Sequence, residues 1–593
     1  MSQRFSPVPA VRDMPDALDL LLRGADIVDG TGAPRRAGDV GVRHGRIVLG
    51  DDLAAAVDDA TRVIDADGLV VAPGFIDIHT HYDAQVLWDP LCTPSPFHGV
   101  TTVIGGNCGF TIAPIADEHV DYLMRMMATV EGMPLDSLQA GPAWDWHTFG
   151  EWLDRIDGKL GVNAGFLVGH STIRRVVMGA DAVGGVATDA QIDAMVELAH
   201  ESMRAGALGV SSSLGEAHTD GDGNPVPSRA SSPEELLALA AAVRDHPGTT
   251  LEFIAAMGEI PADRIELMAD MSLAADRPLN WNILGSLSPT EVYEQQLTSC
   301  DRATEKGARV VALTLPDLMR MRAGKILESM PTWRDVVGLP DDERRRAVAD
   351  PDTRARLREG AAEAANRGLA AATKYDLLEI AEAPSGSEAL IGKTISEVAD
   401  ERGEDPVDVL IDVVLGDRLP LIMLFPSVVP SLGRSDEGWK VRAGMWRDDR
   451  TVLGGSDAGA HVDLMCHANY TTAVLGDSVR ERKLLTLEEA VYELAEVPAR
   501  LYGLRERGRI AEGWHADLVV FDPDTVGTGP TVAIDDLPGG GERLSNEARG
   551  IAHVFVNGRE VIADGVITGD LPGTLLRSGV DTDTVSVPGA SRR

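Results

Sequence analysis

The chain has 593 residues, 44% hydrophobic and 25% charged, which excludes a disordered, fibrous or minimal disulfide-stapled product. Lys plus Arg number 54 against 93 Asp plus Glu, a formal net charge of −39 at pH 7, which argues against a nucleic-acid backbone or an anionic membrane as main partner. The four cysteines, Cys92, Cys108, Cys300 and Cys466, stand too far apart for a Cys-x-x-Cys knuckle or redox pair, and the first residues lack the long apolar run of a signal peptide. A reducing, cytoplasmic setting and a small-molecule substrate are therefore expected.

Residues 1–17 read as an N-terminal tail. From 18 to 72, ALDLLLRGADIVDG, DVGVRHGRIVLG and ATRVIDADGLVVAPG alternate apolar and polar residues between turn glycines, as short strands do. The same texture returns over 511–575 in ADLVVFDP and IAHVFVNGREVIADG, so a small sheet domain drawing on both ends of the chain is expected. Strand-length apolar runs lie between, at Gly74–Ile78, Thr101–Gly105, Val162–Val168, Gly206–Ser212, Thr250–Ala255, Leu279–Leu284, Ala308–Leu315 and Thr451–Gly455. Amphipathic stretches such as QIDAMVELAHESMRAG and SPEELLALAAAVRDH separate several of them. Eight strands alternating with helices predict an α/β fold, a (β/α)8 TIM barrel, with strands one to seven in 73–315 and strand eight with closing helices in 451–510. Residues 316–450 are too long for a crossover and read as a mainly helical inserted subdomain, placed where it would cover an active site; LPLIMLF within it fits a strand or a buried helix end. Residues 576–593 read as a flexible tail.

The chemistry concentrates at the expected carboxyl ends of the strands. In VVAPGFIDIHTHYD, His79 and His81 are two apart, so on a strand both imidazoles point the same way and can present nitrogen lone pairs to a divalent metal such as zinc. In RTVLGGSDAGAH, Asp457 follows the eighth run, where a carboxylate can ligate the metal and take a proton from the attacking water; the alternative is a helix cap. Cys108, in TTVIGGNCGFT, is either a thiolate ligand or a small buried hydrophobe. His170, in FLVGHSTIRR, suits either the site or the core, and Arg174 or Arg175 can take a substrate carboxylate through a bidentate fork. His461 is a further candidate substrate contact. Glu216–Asn224, EAHTDGDGN, lacks a calcium-loop pattern and reads as a solvated loop after strand four.

The segments PGFIDIHTHYD, GGNCGFT, VGHSTIR, GGSDAGAH and ERGRIAEGWHADLVVFDP resemble the amidohydrolase superfamily, most closely its branch of N-acyl-D-amino-acid deacylases. The resemblance runs from about Leu18 to Gly573 and implies a metal-bearing barrel with a β-sandwich built from both termini. It implies that His79 and His81 hold metal, that Cys108 helps hold zinc, and that Asp457 activates water. It also implies two further metal histidines, after strands five and six. Here those strands read GTTLEFIAAMGE and RPLNWNILG and contain none; Glu252 or Glu259, and Asn280 or Asn282, are the nearest polar replacements.

The expected function is hydrolysis of a non-peptide amide bond, on an N-acyl-D-amino acid or related small N-acylated compound, with His170 or backbone donors supporting the oxyanion. Competing readings are a cyclic amide, lactam or imide hydrolase, and a noncatalytic scaffold that keeps the fold. A homo-oligomer is expected for a barrel of this kind.

Overall fold

The computed structural model describes residues 17–50, 53–285, 292–316, 319–328, 330–366, 373–383, 386–416, 422–425 and 432–588. All of the expected N-terminal tail but Ala17 lies outside the described residues.

Strands β1 (Leu20–Ile27), β2 (Arg36–Arg43), β3 (Arg46–Val48), β4 (Arg62–Asp65) and β5 (Val70–Pro73) open the chain. Their alternation places Leu20, Leu22, Val40, Val42 and Val71 in one apolar cluster. Gly74 then ends this sheet and leads into a second, parallel set of strands.

That set comprises β6 (Phe75–Asp77), β7 (Val100–Gly105), β8 (Asn163–Phe166) continued by β9 (Val168–Gly169), β10 (Gly209–Ser213), β11 (Thr250–Ile254), β12 (Leu279–Trp281) and β13 (Val310–Thr314). Each of the first seven apolar runs noted above contains or overlaps one of these positions. Neighbours pair in parallel from β6 through β8 and from β9 through β13. Every residue of β7, β8, β10, β11 and β13 is buried, as strands of a parallel set covered on both faces are. Ile76, Ile104, Leu167, Leu208 and Leu313 meet in a cluster between the strands.

The intervening helices include α1 (Val120–Val130), α2 (Leu135–Ala140), α3 (Phe149–Ile156), α4 (His170–Met178), α5 (Asp189–Ala205), α6 (Pro233–Arg244), α7 (Ala262–Ala275) and α8 (Tyr293–Lys306). Helix α5 shows why such segments start and stop where they do: Thr188 and Gln191 form a reciprocal capping box, and Gly206 ends the helix in the left-handed region at φ +117°.

The long insertion is not helical alone. It adds β14 (Met319–Arg322), β15 (Glu379–Glu382) and β16 (Ile422–Phe425), an antiparallel sheet with β16 in the middle, to helices such as Pro351–Asn366 and Ile395–Arg402. Of the run LPLIMLF, Ile422–Phe425 form a strand and the first three residues lie outside the described residues. Leu327, Trp333, Leu357, Ile380 and Leu410 form a core belonging to the insertion. After it, β17 (Thr451–Leu453) pairs with β13 in parallel.

At the far end of the chain, β18 (Leu518–Phe521) pairs with β5. A hairpin of β19 (Gly527–Leu537) and β20 (Gly541–Arg549) stands apart as its own two-stranded sheet, and β21 (Ile551–Val556), β22 (Arg559–Ala563) and β23 (Val566–Ile567) complete the first sheet. That sheet therefore joins strands from both termini. The hairpin reaches across to other parts of the molecule: Leu544 N donates to Val462 O at 2.7 Å, and Arg322 of the insertion meets Glu542 at 2.5 Å.

The expected flexible tail needs correction over 577–588. Strand β24 (Leu575–Leu576) pairs with β8, and beyond it Thr582 is 1% exposed and donates to Gly248 O at 2.6 Å. Polar anchors of this kind have no sequence periodicity, so the segment reads as loose. Residues 589–593 lie outside the described residues.

Candidate metal centre

The ends of β6 and β17 run on into loops that bond to each other. Asp457 N donates to His79 O at 3.0 Å and His81 N to Ala458 O at 2.7 Å, and Thr80 and Ala458 form a parallel bridge. Asp77, fully buried, clamps the same junction by accepting from His79 N at 3.3 Å and Ser456 N at 3.2 Å. Gly459 makes the close approach feasible: at φ +91°, a Cβ there would lie 2.5 Å from His81 O. The first and last strands of the parallel set are thus locked together at the point where their candidate residues emerge.

Four side chains gather on this junction. His81 Nε2 lies 3.0 Å and His79 Nε2 3.5 Å from Asp457 Oδ1. Cys108 Sγ lies 3.4 Å from His79 Nε2 and 3.8 Å from His81 Nε2. A tetrahedral ion with ligand bonds of about 2.0–2.3 Å separates its ligand atoms by roughly 3.3–3.8 Å. The two imidazoles and the thiol, at these spacings, fit a zinc-type ion, and His81, Glu131 and Asp457 form a second group of possible ligands that shares His81. Cys108, Asp457 and His461 all hold left-handed backbone, at φ +59°, +57° and +48°, a conformation costing non-glycine residues about 1 kcal/mol and concentrated at functional sites.

The Cys108 turn is tied down from several strands. Cys108 N donates to Glu252 Oε2 at 2.8 Å, Gly106 N to Asp83 Oδ2 at 3.0 Å, and Gly109 N to Ser211 Oγ at 3.0 Å. Glu252, on β11, also accepts from Asn282, just past β12. The two strands where the family resemblance implies metal histidines therefore carry a bonded pair that buttresses the cysteine turn. Glu259 is exposed, and Asn280 is turned to Tyr502 Oη at 3.4 Å.

The surroundings call for a cation. Burial pushes the Asp77 carboxyl up to about 6, Glu252 to about 7, and Glu131 well above the usual range. Burial also raises the Cys108 thiol, with Glu252 adding to the effect. For Asp457, burial opposes ionisation, but its bonds to His79 and His81 outweigh it and hold the carboxyl well below its ordinary value. Burial likewise disfavours charge on both imidazoles: His81 is shifted down, whereas at His79 the Asp457 hydrogen bond and nearby carboxylates turn the net shift upward. No Lys or Arg is among the described residues lining the adjoining cavity.

That cavity, about 200 Å³, opens directly on these groups. Its walls are apolar: Ile254, Met257 and Leu313 from the parallel strands and their loops, Met319 and Met321 from the insertion, and Met465. Strand β14 is bonded to the loop after Asp457, with Arg322 N donating to Leu464 O at 2.7 Å, so the insertion roofs the site. A larger cleft of about 840 Å³, among Arg309, Arg500 and Trp514, contains none of these donors.

Of the other expected residues, His461 lines the cavity with Nε2 3.9 Å from Asp457 Oδ2. His170 and Arg174 do not reach it. His170 Nδ1 pairs with Ser212 Oγ at 2.8 Å and its Nε2 with Glu235 Oε1 at 2.7 Å. Arg174, 0% exposed, donates to Glu235, Ala182 O, Pro227 O and Gly185 O, leaving no free fork for a substrate carboxylate. Both expectations are corrected: α4 begins at His170, and that first turn rolls the two side chains toward α6. Arg175 instead stacks on Tyr122 at 3.8 Å. Two residues went unnoticed in the sequence. Glu131, capping α1, brings Oε1 to 3.4 Å from His81 Nδ1, and His218, within the loop read as solvated, lines the cavity.

The Arg174–Glu235–His170 cluster makes its own prediction. Arg174→Ala should destabilise the fold by about 3–5 kcal/mol, because it strips a buried carboxylate of its cation, while the folded fraction keeps its metal content and kcat. Burial opposes Glu235 ionisation, but His170 and Arg174 outweigh it and hold the carboxyl below its ordinary 4.5. The stabilisation is therefore full above that value and lost as pH falls below it. Thermal melting of wild type and Glu235→Gln should show a gap that is widest near neutrality and closes in acid.

Comparisons with known proteins bear on the family of the chain. The model of the amidohydrolase family matches residues 62–567. An N-acyl-D-aspartate deacylase of Alcaligenes xylosoxydans xylosoxydans is 31% identical over 576 residues, 96% of each chain. A crystal structure of a D-aminoacylase with a binuclear metal centre is 28% identical, with a TM-score of 0.62 over 94% of this chain and 100% of that one. An N-acyl-D-glutamate deacylase of Bordetella bronchiseptica, complexed with zinc and a phosphonate mimic of the tetrahedral intermediate, is 25% identical, with a TM-score of 0.62 over 95% of this chain and 100% of that one.

Proposed function

This chain belongs to the amidohydrolase family, and we propose that within it the protein is a single-metal hydrolase of N-acyl-D-amino acids whose side chains are uncharged and apolar. The observation that carries the reading is the pair of possible ligand groups sharing His81, namely His79 with His81 and Cys108, and His81 with Glu131 and Asp457, at the floor of a cavity with aliphatic and methionine walls. We read the eight parallel strands as one closed (β/α)8 barrel, spanning 73–315 and 451–510 and interrupted by the insertion 316–450. The sheet from 18–72 and 511–575 is read as a β-sandwich domain.

His79, His81, Cys108 and Asp457 would hold the ion, and zinc suits this mixed nitrogen, sulfur and oxygen set. When bound, the ion supplies Lewis acidity, which makes the carbonyl carbon more electrophilic and the attacking water more acidic. Asp457 has the other task. Its Oδ1 faces the imidazoles, whereas Oδ2 lies on the His461 side and is the atom to receive the proton from water and return it to the departing nitrogen. Leu313, Met321 and Met465 exclude bulk water and seat the apolar part of the substrate. Glu252 and Asn282 hold the Cys108 turn, which supports one metal equivalent per chain.

The substrate choice is tested with a panel of N-acetyl-D-amino acids. Burying a side-chain carboxylate against the apolar walls costs on the order of 2–3 kcal/mol. The leucine and methionine derivatives should therefore exceed the aspartate derivative by about a hundredfold in kcat/KM; equal values, or a preference for aspartate, would contradict the assignment. We also place the protein in a reducing cytoplasm, a reading supported by four free, buried cysteines, and propose a homo-oligomer, to be measured by light scattering.

A further inference from the structure

Strand β10 ends at Ser213, and the chain turns at once so that His218 folds back over it. Ser213, fully buried, accepts from Gly215 N at 3.0 Å, and its Oγ lies 2.8 Å from His218 Nδ1. The hydroxyl has a single proton to give. Were Nδ1 itself protonated, that proton would be left buried without an acceptor, at a cost of about 1–3 kcal/mol. Nδ1 is thus the acceptor, and the ring carries its proton on Nε2.

Nε2 has no hydrogen-bond partner among the described residues, and the ring borders the same cavity as His79, His81 and Asp457. It is also held firmly. Phe110 packs edge-on at 5.2 Å, His218 N donates to Gly215 O at 3.1 Å, and His218 O accepts from Arg229 at 3.1 Å. Burial, followed by the neighbouring His461 and His81, pushes the imidazole down to about 4. Near neutrality the ring is an uncharged N–H donor, fixed in direction before substrate arrives.

We propose that His218 is a catalytic residue whose Nε2–H donates to the carbonyl oxygen of the scissile amide as that oxygen gains negative charge during attack by water. A fixed donor aimed at developing charge costs no reorganisation during the reaction. Ser213 is the positioning residue, because it sets the tautomer. The proposal rests on the amide-hydrolase reading above and adds to it a side chain from a loop whose acidic, glycine-rich sequence suggests solvent exposure alone.

The test compares wild type with His218→Ala and His218→Gln, using N-acetyl-D-leucine and its methylphosphonamidate analogue, in which tetrahedral phosphorus replaces the carbonyl carbon. Loss of one such donor lowers kcat by about 10²–10³-fold. His218→Ala should show that loss with KM little changed, and with metal content and melting temperature as in wild type. Phosphonamidate affinity should fall in parallel, and His218→Gln, which keeps an N–H at its tip, should recover part of both. Unchanged kcat, or a loss of metal, would overturn the assignment. Failure of wild type to cleave any N-acyl amino acid would instead count against the amide-hydrolase reading. The phosphonamidate still decides the role of His218 in that case: weaker binding to His218→Ala supports it and equal binding overturns it.

Discussion

Asp457→Asn should lower kcat by about 10²–10⁴-fold, the range expected when a positioned general base is removed, while KM and the fold change little. The substitution is nearly isosteric. It preserves the backbone bond from residue 457 to His79 O and leaves an amide oxygen for the Oδ1 position. What it removes is the ability to take a proton. Because the loss falls on the step in which water adds and nitrogen departs, it should appear equally in kcat and kcat/KM. Steady-state kinetics on N-acetyl-D-leucine, with metal content measured on the same sample, check this. Turnover within a few-fold of wild type would remove Asp457 from the proton path.

Replacing both His79 and His81 by alanine should have the other large effect: metal content falls from about one equivalent to a small fraction, and activity falls with it. Both imidazoles are buried among Asp77, Glu131, Glu252 and Asp457, and no Lys or Arg among the described lining residues balances those carboxyls. A bound cation relieves that burden as well as serving catalysis. Metal that binds only the folded chain adds about 4 kcal/mol of stability at a thousandfold excess over Kd. Chelation should therefore lower the melting temperature of wild type and leave the double variant unmoved. Elemental analysis and calorimetry read both effects. Full metal and activity in the double variant would contradict the assignment of the two histidines.

The sequence was most informative where periodicity and local spacing determine geometry. An eight-run count places the strands because buried parallel strands are continuous apolar stretches, and a His-x-His pair on a strand has to point one way. Cys108 was ambiguous for a physical reason: a thiol in a glycine-rich turn looks the same whether it packs or ligates, and the approach of His79 Nε2 to 3.4 Å and His81 Nε2 to 3.8 Å is what favours the ligand reading. His170 and Arg174 show the limit of reading positions from strand ends. The sequence brings them to the rim, but Glu235, 61 residues from Arg174 along the chain, draws both inward. Glu131 and His218 lie in a helix cap and an acidic loop, where composition describes solubility and gives no direction for a side chain. The stability of the segment 577–588 depends on single polar anchors such as Thr582, which leave no pattern to read.

The most direct test is a crystal structure of the zinc-loaded protein with anomalous diffraction collected at the zinc edge. The account predicts one strong peak per chain, within bonding distance of His79 Nε2, His81 Nε2, Cys108 Sγ and Asp457 Oδ1, with Glu252 still bonded to Asn282. A peak that leaves out Asp457 or both strand-one imidazoles, or two peaks of equal height, would contradict it.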